Sequence, residues 1–345
     1  MIGVSAATSE RPDRERALRR LCAIAAEYGA SSSPSIVEQQ LRRWLGLASH
    51  GAVDVGRSTL NNTGAPLQCC LSLGRGRCRV RFIMDPGYAA GSAIAARLAM
   101  ARVCLHELAD ADHETHVAIE RLLACFGPAS ARENAMFSSG VAWIGVSVGE
   151  ASLAAYVDLS PRDAGDAWGR LAEWLEAGGA NASSSAAELA RLRALGPPSS
   201  VGFERDSEGR LRRKVYVCTT LERVLTSDDD SSDGRAIASM IAQLARLGHR
   251  ASATTFVSVG FDDDGSRVDS KIDLCCCADC TALEAADWRR ILPGLLTDAG
   301  LLASPLAAAL SMPEIVVAVV GVGATHELVP NLRFNAYLAP RRWRE

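Results

Sequence analysis

No stretch of this chain is apolar for long enough to cross a bilayer, since the longest run, Ile315 to Val322, has only the length of a strand. The first twenty residues also lack an apolar segment. They mix Arg11, Asp13, Arg14, Glu15 and Arg16, which is not the pattern of a secretory leader. Neither sign of charge is in excess: a net charge of -3 over 345 residues makes no field that would gather nucleic acid or an anionic membrane. A second cysteine or histidine pair is missing as well. Cys277 and Cys280 form one CxxC within the cluster Cys275, Cys276, Cys277 and Cys280, Cys69 and Cys70 are adjacent, and His326 stands alone. That spacing does not meet the pattern of a zinc site. Gly321 and Gly323 lack the full spacing of a nucleotide-binding glycine loop. These absences lead us to expect a cytoplasmic protein with reduced thiols, no metal site, and no nucleic-acid or membrane partner.

What is present is an ordinary globular balance, 48% hydrophobic and 22% charged, with ample material for a core. Two amphipathic helices open the chain. Arg14 to Tyr28 puts Leu18, Leu21, Cys22 and Ala25 on one face, and Ser33-Pro34 reads as an N-cap and first-turn proline for a helix to Leu45. After them one pattern recurs five times: two β-rich runs around a tight turn, then helical sequence. The runs are Leu67–Leu73 with Cys78–Met84, Ala142–Val148 with Ser152–Leu159, Val201–Arg205 with Leu211–Val217, Thr254–Phe261 with Val268–Cys275, and Ile315–Val322 with Asn331–Leu338. Glycine beside Asp, Glu or Ser in the turns supplies the positive φ of hairpin connections. Helical spacing returns in Ile94 to Leu108, His116 to Cys125, Ala164 to Leu175 and Ala236 to Leu247. Ten strands in a meander curl, and closure removes their exposed edges. The predicted fold is therefore α+β: a closed ten-stranded antiparallel β-barrel of five ββαα-like repeats ringed by outer helices. It forms one domain over 1–345, with N-terminal helices in 1–60 and the repeats over 61–340.

Alternate residues of each second strand share a face. One set of faces reads Val80, Phe82; Ala155, Val157; Arg213, Val215, Val217; Ser270, Ile272, Leu274; Leu332, Phe334, Ala336, Leu338, and suits packing under helices. The other reads Arg79, Arg81; Ala154, Tyr156, Asp158; Arg212, Lys214, Tyr216; Asp269, Lys271, Asp273; Arg333, Asn335, Tyr337, and is assigned to the lumen. The opposite phase would turn this polar set to solvent. Polar faces converging inside a barrel are costly unless they bind something charged. Arginine and lysine donors suit a diphosphate, and tyrosine rings beside them stabilise a cation. Together they are what ionisation of an allylic diphosphate requires.

These residues resemble the ABBA-type aromatic prenyltransferases, in particular the indole or tryptophan dimethylallyltransferase-like branch, over roughly Asn62 to Pro340. The most specific piece is Arg212-x-Lys214-x-Tyr216. Tyr156 in AAYVDLS and Tyr337 in FNAYLAP stand at the other shielding positions, with Ala154 where a lysine is usual. The resemblance implies transfer of a dimethylallyl or longer prenyl group from its diphosphate to an electron-rich, indole- or tryptophan-like acceptor. Arg79, Arg81, Arg212, Lys214, Lys271 and Arg333 would bind the diphosphate, and Tyr156, Tyr216 and Tyr337 would shield the cation. Gln68 and Asn335 would bind the acceptor. No cofactor would be required, with magnesium at most stimulatory. Gln68 departs from the pattern: TGAPLQ resembles a segment that ends in a glutamate base, and glutamine accepts a hydrogen bond but no proton. Asp273 and Asp158 on the lumen face are candidates for proton removal, Asp273 foremost. A phenol, peptide or nitrogen nucleophile as acceptor, or a non-catalytic barrel for an anionic ligand, remain alternatives.

Two further clusters read as structural. Asp229-Asp230-Ser231-Ser232-Asp233 spells the DDxxD of helical isoprenoid synthases but lies in a Ser/Asp/Gly-rich break, where it suits a helix N-cap. His106, His113 and His116 stand beside Glu107, Asp110 and Glu114 in the polarity of a solvated helix junction.

Overall fold

The computed structural model describes residues 11–29, 33–45, 58–86, 88, 93–110, 112–128, 130, 133, 136–137, 141–150, 152–160, 164–179, 182–227, 231–325 and 331–341. Asp229, Asp230 and His326 lie outside them. Among the described residues, no helix is long and apolar enough to cross a membrane.

The strands are β1 (Leu67–Gly74), β2 (Arg77–Met84), β3 (Ala142–Ser147), β4 (Leu153–Asp158), β5 (Pro198–Arg205), β6 (Leu211–Thr220), β7 (Thr254–Phe261), β8 (Arg267–Cys275), β9 (Ile315–Thr325) and β10 (Asn331–Pro340). All run antiparallel to their sequence neighbours, and β1 pairs with β10, so the sheet closes into the expected barrel. Closure sets Cys70 opposite Tyr337 and Ser72 opposite Asn335. Tight turns join β5 to β6 and β7 to β8, with Gly209 at φ 83° and Gly265 at φ 84°, backbone that a Cβ disfavours.

The described helices are α1 (Arg11–Tyr28), α2 (Pro34–Trp44), α3 (Ile94–Ala109), α4 (His113–Phe126), α5 (Ala164–Ala177), α6 (Ala182–Leu195), α7 (Leu221–Leu225), α8 (Ser232–Arg246), α9 (Ala285–Asp298) and α10 (Ser304–Leu310). They pack as five successive pairs, each ahead of a hairpin. The repeat therefore reads helix pair, then hairpin, and α1–α2 form the first pair instead of standing ahead of the repeats. α1 lies against β2, β10 and α10, which covers the barrel seam. Four helices escape the sequence pattern: α6, with its small-residue start ASSSAA; α9, with Pro293 inside it; and the short α7 and α10.

The core lies between barrel and helices. The outward strand faces carry Val80, Phe82, Val157, Val215, Val217, Leu274, Phe334 and Leu338, all buried against helix faces such as Leu18, Leu21, Cys22 and Ala25 of α1. Arg213 is the charged member of this face. Its guanidinium reaches the Gly178 carbonyl just past α5 and Asp263 in the β7–β8 turn. Ser33 caps α2 by accepting from the Ile36 N–H at 3.4 Å, and Ser231 caps α8 by accepting from the Gly234 N–H at 3.1 Å. The capping expected of the DDxxD stretch is thus seen at its serine.

Candidate active site

With the outward faces buried under helices, the alternate residues point into the lumen, where a cavity of about 400 Å³ lies. Its lining includes Gln68, Arg79, Arg81, Tyr156, Asp158, Arg212, Lys214, Tyr216, Asp269, Lys271, Asp273, Arg333, Asn335 and Tyr337. Of the polar lumen faces expected from the second strands, only the small Ala154 does not line it.

The antiparallel register gives this lumen a direction. Moving away from the hairpin turns, β6 presents Arg212, Lys214 and Tyr216, and β8 presents Asp269, Lys271 and Asp273. β10 presents Arg333, Asn335 and Tyr337, while β2 presents Arg79, Arg81 and Ile83. The turn end is therefore cationic and the next level is a tyrosine collar. Trp143, Ser200 and Val319 stand opposite Tyr156, Tyr216 and Tyr337, and beyond the collar lie Gln68, Asp158, Ser199 and Phe256. The rim at the turn end is open, with the Arg79 side chain 56% exposed, while Gln68 at the other end is buried. Thr59 and Leu60 also line the cavity, on a segment tied down through Ser58, which donates to Asp85 at 2.7 Å. Asp85 in turn meets the buried Arg97 at 3.4 Å.

Each cation of the inner ring has a carboxylate. Arg81 meets Glu204 at 2.8 Å, and Lys214 lies 3.3 Å from Glu204 and 3.2 Å from Asp269. Arg333 meets Asp269 at 3.3 Å, and Lys271 meets Asp273 at 2.6 Å. At the mouth, Arg79 pairs with Glu150 at 3.2 Å and Arg212 approaches Asp206 at 3.8 Å. Burial disfavours the charged forms of Glu204 and Asp269, yet Arg81, Lys214 and Arg333 outweigh it and hold both below the usual carboxylate range. For Asp273 burial wins over Lys271, and the carboxyl is raised.

The collar is set around Lys271. Its Nζ donates to the Tyr337 hydroxyl at 2.5 Å and lies 5.0 Å from the Tyr337 ring centroid and 5.4 Å from that of Tyr216. Tyr156 meets Tyr216 edge-on, centroids 5.8 Å apart, and donates to Glu204 at 2.6 Å. An ammonium already sits where these rings converge, so the collar is built to stabilise positive charge.

Gln68 and Asn335 are not brought together. Asn335 faces Ser72 on β1, two lumen positions from Gln68, and belongs with the donor groups on β10. Glu204, Trp143 and Phe256 come from first strands, whose lumen faces were not read from sequence. Glycines there were the available signal. Gly145, Gly202, Gly260, Gly321 and Gly323 stand opposite or beside the large lumen side chains, and a Cβ on Gly260 or Gly321 would strike the carboxylate of Asp269 or Asp273.

The histidine cluster rearranges relative to the sequence pattern. His106 and His116 stack with Nδ1 atoms 2.5 Å apart and His106 Nε2 2.7 Å from Glu120, and His113 takes no part in the stack. Cys277 and Cys280 bring their sulfurs to 3.2 Å. No group of three or more metal-ligating side chains occurs among the described residues.

A closed ten-stranded antiparallel barrel ringed by helix pairs around a polar lumen is the fold of the ABBA-type aromatic prenyltransferases. The chain is similar to the prenyltransferase PriB, solved with L-tryptophan and dimethylallyl thiolodiphosphate, at 15% identity and a TM-score of 0.75, covering 97% of this chain and 98% of that one. The 5-dimethylallyl tryptophan synthase of Streptomyces coelicolor gives 16% identity, a TM-score of 0.74 and coverage of 98% and 96%. AnaPT of Neosartorya fischeri gives 12%, 0.71, and coverage of 94% and 92%. No protein-family model and no curated protein sequence matches the chain.

Proposed function

We propose that this protein is an aromatic prenyltransferase that moves a dimethylallyl or longer prenyl group from its diphosphate to an electron-rich, indole-like acceptor without a metal. The observation that carries this reading is the order of the lumen: a cationic ring, then a tyrosine collar enclosing an ammonium, then an aromatic-lined far end. The fold it shares with PriB, whose structure holds L-tryptophan and a dimethylallyl donor analogue, supports it.

In this reading Arg81, Lys214, Lys271 and Arg333 turn from their carboxylates to the diphosphate, with Arg79 and Arg212 at the mouth. The C1–O bond breaks and its electron pair leaves with the diphosphate, which these cations stabilise. Tyr156, Tyr216 and Tyr337 face the allylic cation and keep water away. An acceptor ring carbon held by Gln68 attacks C1, forming the C–C bond, and the ring proton passes to a carboxylate. Asp273 is placed for that step because Lys271 leaves it when the diphosphate binds.

Calorimetric titration with dimethylallyl thiolodiphosphate in EDTA tests the donor site. Binding, followed by metal-free consumption of dimethylallyl diphosphate with an aromatic acceptor, is the expected result. Absence of binding would overturn the reading. Binding without turnover on any aromatic acceptor would leave a barrel that holds an anionic ligand.

A further inference from the structure

Asp158 is the last residue of β4 and points into the far end of the lumen, 5% exposed. One carboxylate oxygen accepts from the Ser160 N–H at 2.9 Å and from the Ser160 hydroxyl. The other lumen carboxylates all have basic partners: Glu150 has Arg79, Glu204 has Arg81 and Lys214, Asp206 has Arg210 and Arg212, Asp269 has Lys214 and Arg333, and Asp273 has Lys271. Asp158 has none among the described residues. A buried carboxylate left without a counter-charge is expensive, and burial raises its carboxyl above the usual range.

Its surroundings are incomplete as well. Gln68 Oε1, Trp143 Nε1 and Ser199 Oγ are buried polar atoms without a hydrogen-bond partner, and all three residues line the same cavity. Asp158 donates its backbone N–H to Val141 at 2.9 Å, which places it diagonally across the β3–β4 ladder from Trp143 on the lumen face. Ser200 is its direct partner on β5. The far end thus offers a carboxylate, an amide acceptor, a hydroxyl, the indole N–H of Trp143 as a donor, and the rings of Trp143 and Phe256. The lysines and arginines of the lining belong to the turn end and the collar.

We propose that the far end of the lumen is a subsite for an aromatic amine whose ammonium is held by Asp158, and that an acceptor carrying its own carboxylate fits it less well. As the identity of the acceptor, this rests on the prenyltransferase reading; as a binding site, it stands separately. Such a ligand supplies the missing counter-charge, a ring for Trp143 and Phe256, and an N–H for Gln68. The subsite therefore selects a decarboxylated amine over the corresponding amino acid.

The test is calorimetry of wild type and Asp158→Asn with tryptamine, with tryptophol as its neutral counterpart, and with L-tryptophan. A hydrogen bond between charged groups is worth on the order of 10- to 100-fold in affinity, so wild type should bind tryptamine tighter than tryptophol by about that factor. Tryptamine should also exceed L-tryptophan. Asp158→Asn keeps an acceptor oxygen for Ser160, and should remove the advantage while leaving tryptophol affinity unchanged, which shows that the pocket is intact. Equal affinities in wild type, an advantage that survives the substitution, or no binding of any probe would each overturn the proposal. Dimethylallyl thiolodiphosphate titrated in parallel separates the two readings. Amine selectivity without donor binding sinks the transferase and keeps the subsite, and donor binding without amine selectivity does the reverse.

Discussion

Lys214 is 3% exposed and shared between Glu204 and Asp269. Its removal leaves Glu204 to Arg81 and Asp269 to Arg333, so Lys214→Ala should lower stability by about 1–3 kcal/mol as well as weaken binding of the donor analogue. Chemical denaturation and calorimetry read the two effects separately, and undiminished donor affinity would remove Lys214 from the diphosphate site. Gln68 tests the other end of the reaction. Gln68→Glu places a carboxylate at the far end, and steady-state turnover with an indole acceptor should rise if proton removal limits the rate. Unchanged turnover would point to an acceptor without an indole N–H, or to Asp273 as a sufficient base.

At the level of the strand, the fold and the site were legible to different depths. The second strands of the hairpins carry a charged or aromatic residue at alternate positions, as in Arg212-x-Lys214-x-Tyr216, so their phase could be read and their lumen faces fell where expected. The first strands carry glycine and serine at the matching positions, and small residues show no phase. Glu204, the carboxylate that joins Arg81, Lys214 and Tyr156, was hidden there. Helices followed the same logic. α1 and α2 showed clear apolar faces, while α9 was masked by an internal proline that the helix tolerates. The small residues are themselves testable. A Cβ at Gly321 would displace the Asp273 carboxylate, so Gly321→Ala should lower stability by about 1–3 kcal/mol and reduce turnover together. A thermal melt and a rate measured on one preparation check both. Ser33→Ala, at the start of α2 and remote from the lumen, should cost about 1 kcal/mol with turnover unchanged.

At the scale of the molecule, charge inside the barrel sets how it meets acid. Glu204 and Asp269 are held low, so the stability they contribute is present above their ordinary values and is lost as pH falls through their folded values. Asp158 and Asp273 are raised by burial and act in the opposite sense, favouring the fold at low pH and losing that contribution as pH rises through their folded values. The Glu204→Gln variant should begin less stable at neutral pH and lose less on acidification below about pH 4.5, the ordinary glutamate value. A melting-temperature series against pH reads the slope, and parallel curves for variant and wild type would contradict the assignment.

The seam between β1 and β10 has a consequence in time. Cys70 and Tyr337 sit side by side in the sheet but near opposite ends of the repeat array, and contacts between distant segments form slowly because a long loop must close first. Hairpins and helix pairs can assemble locally and early. The seam spans the greatest sequence separation of all the strand pairings, so the ring should be completed late, and until then the lumen would be an open groove. Charges, tyrosines and far-end pocket acquire their shared interior in that last step. The amides of β1 and β10 should accordingly be the last in the sheet to gain protection when refolding is followed by pulsed hydrogen exchange.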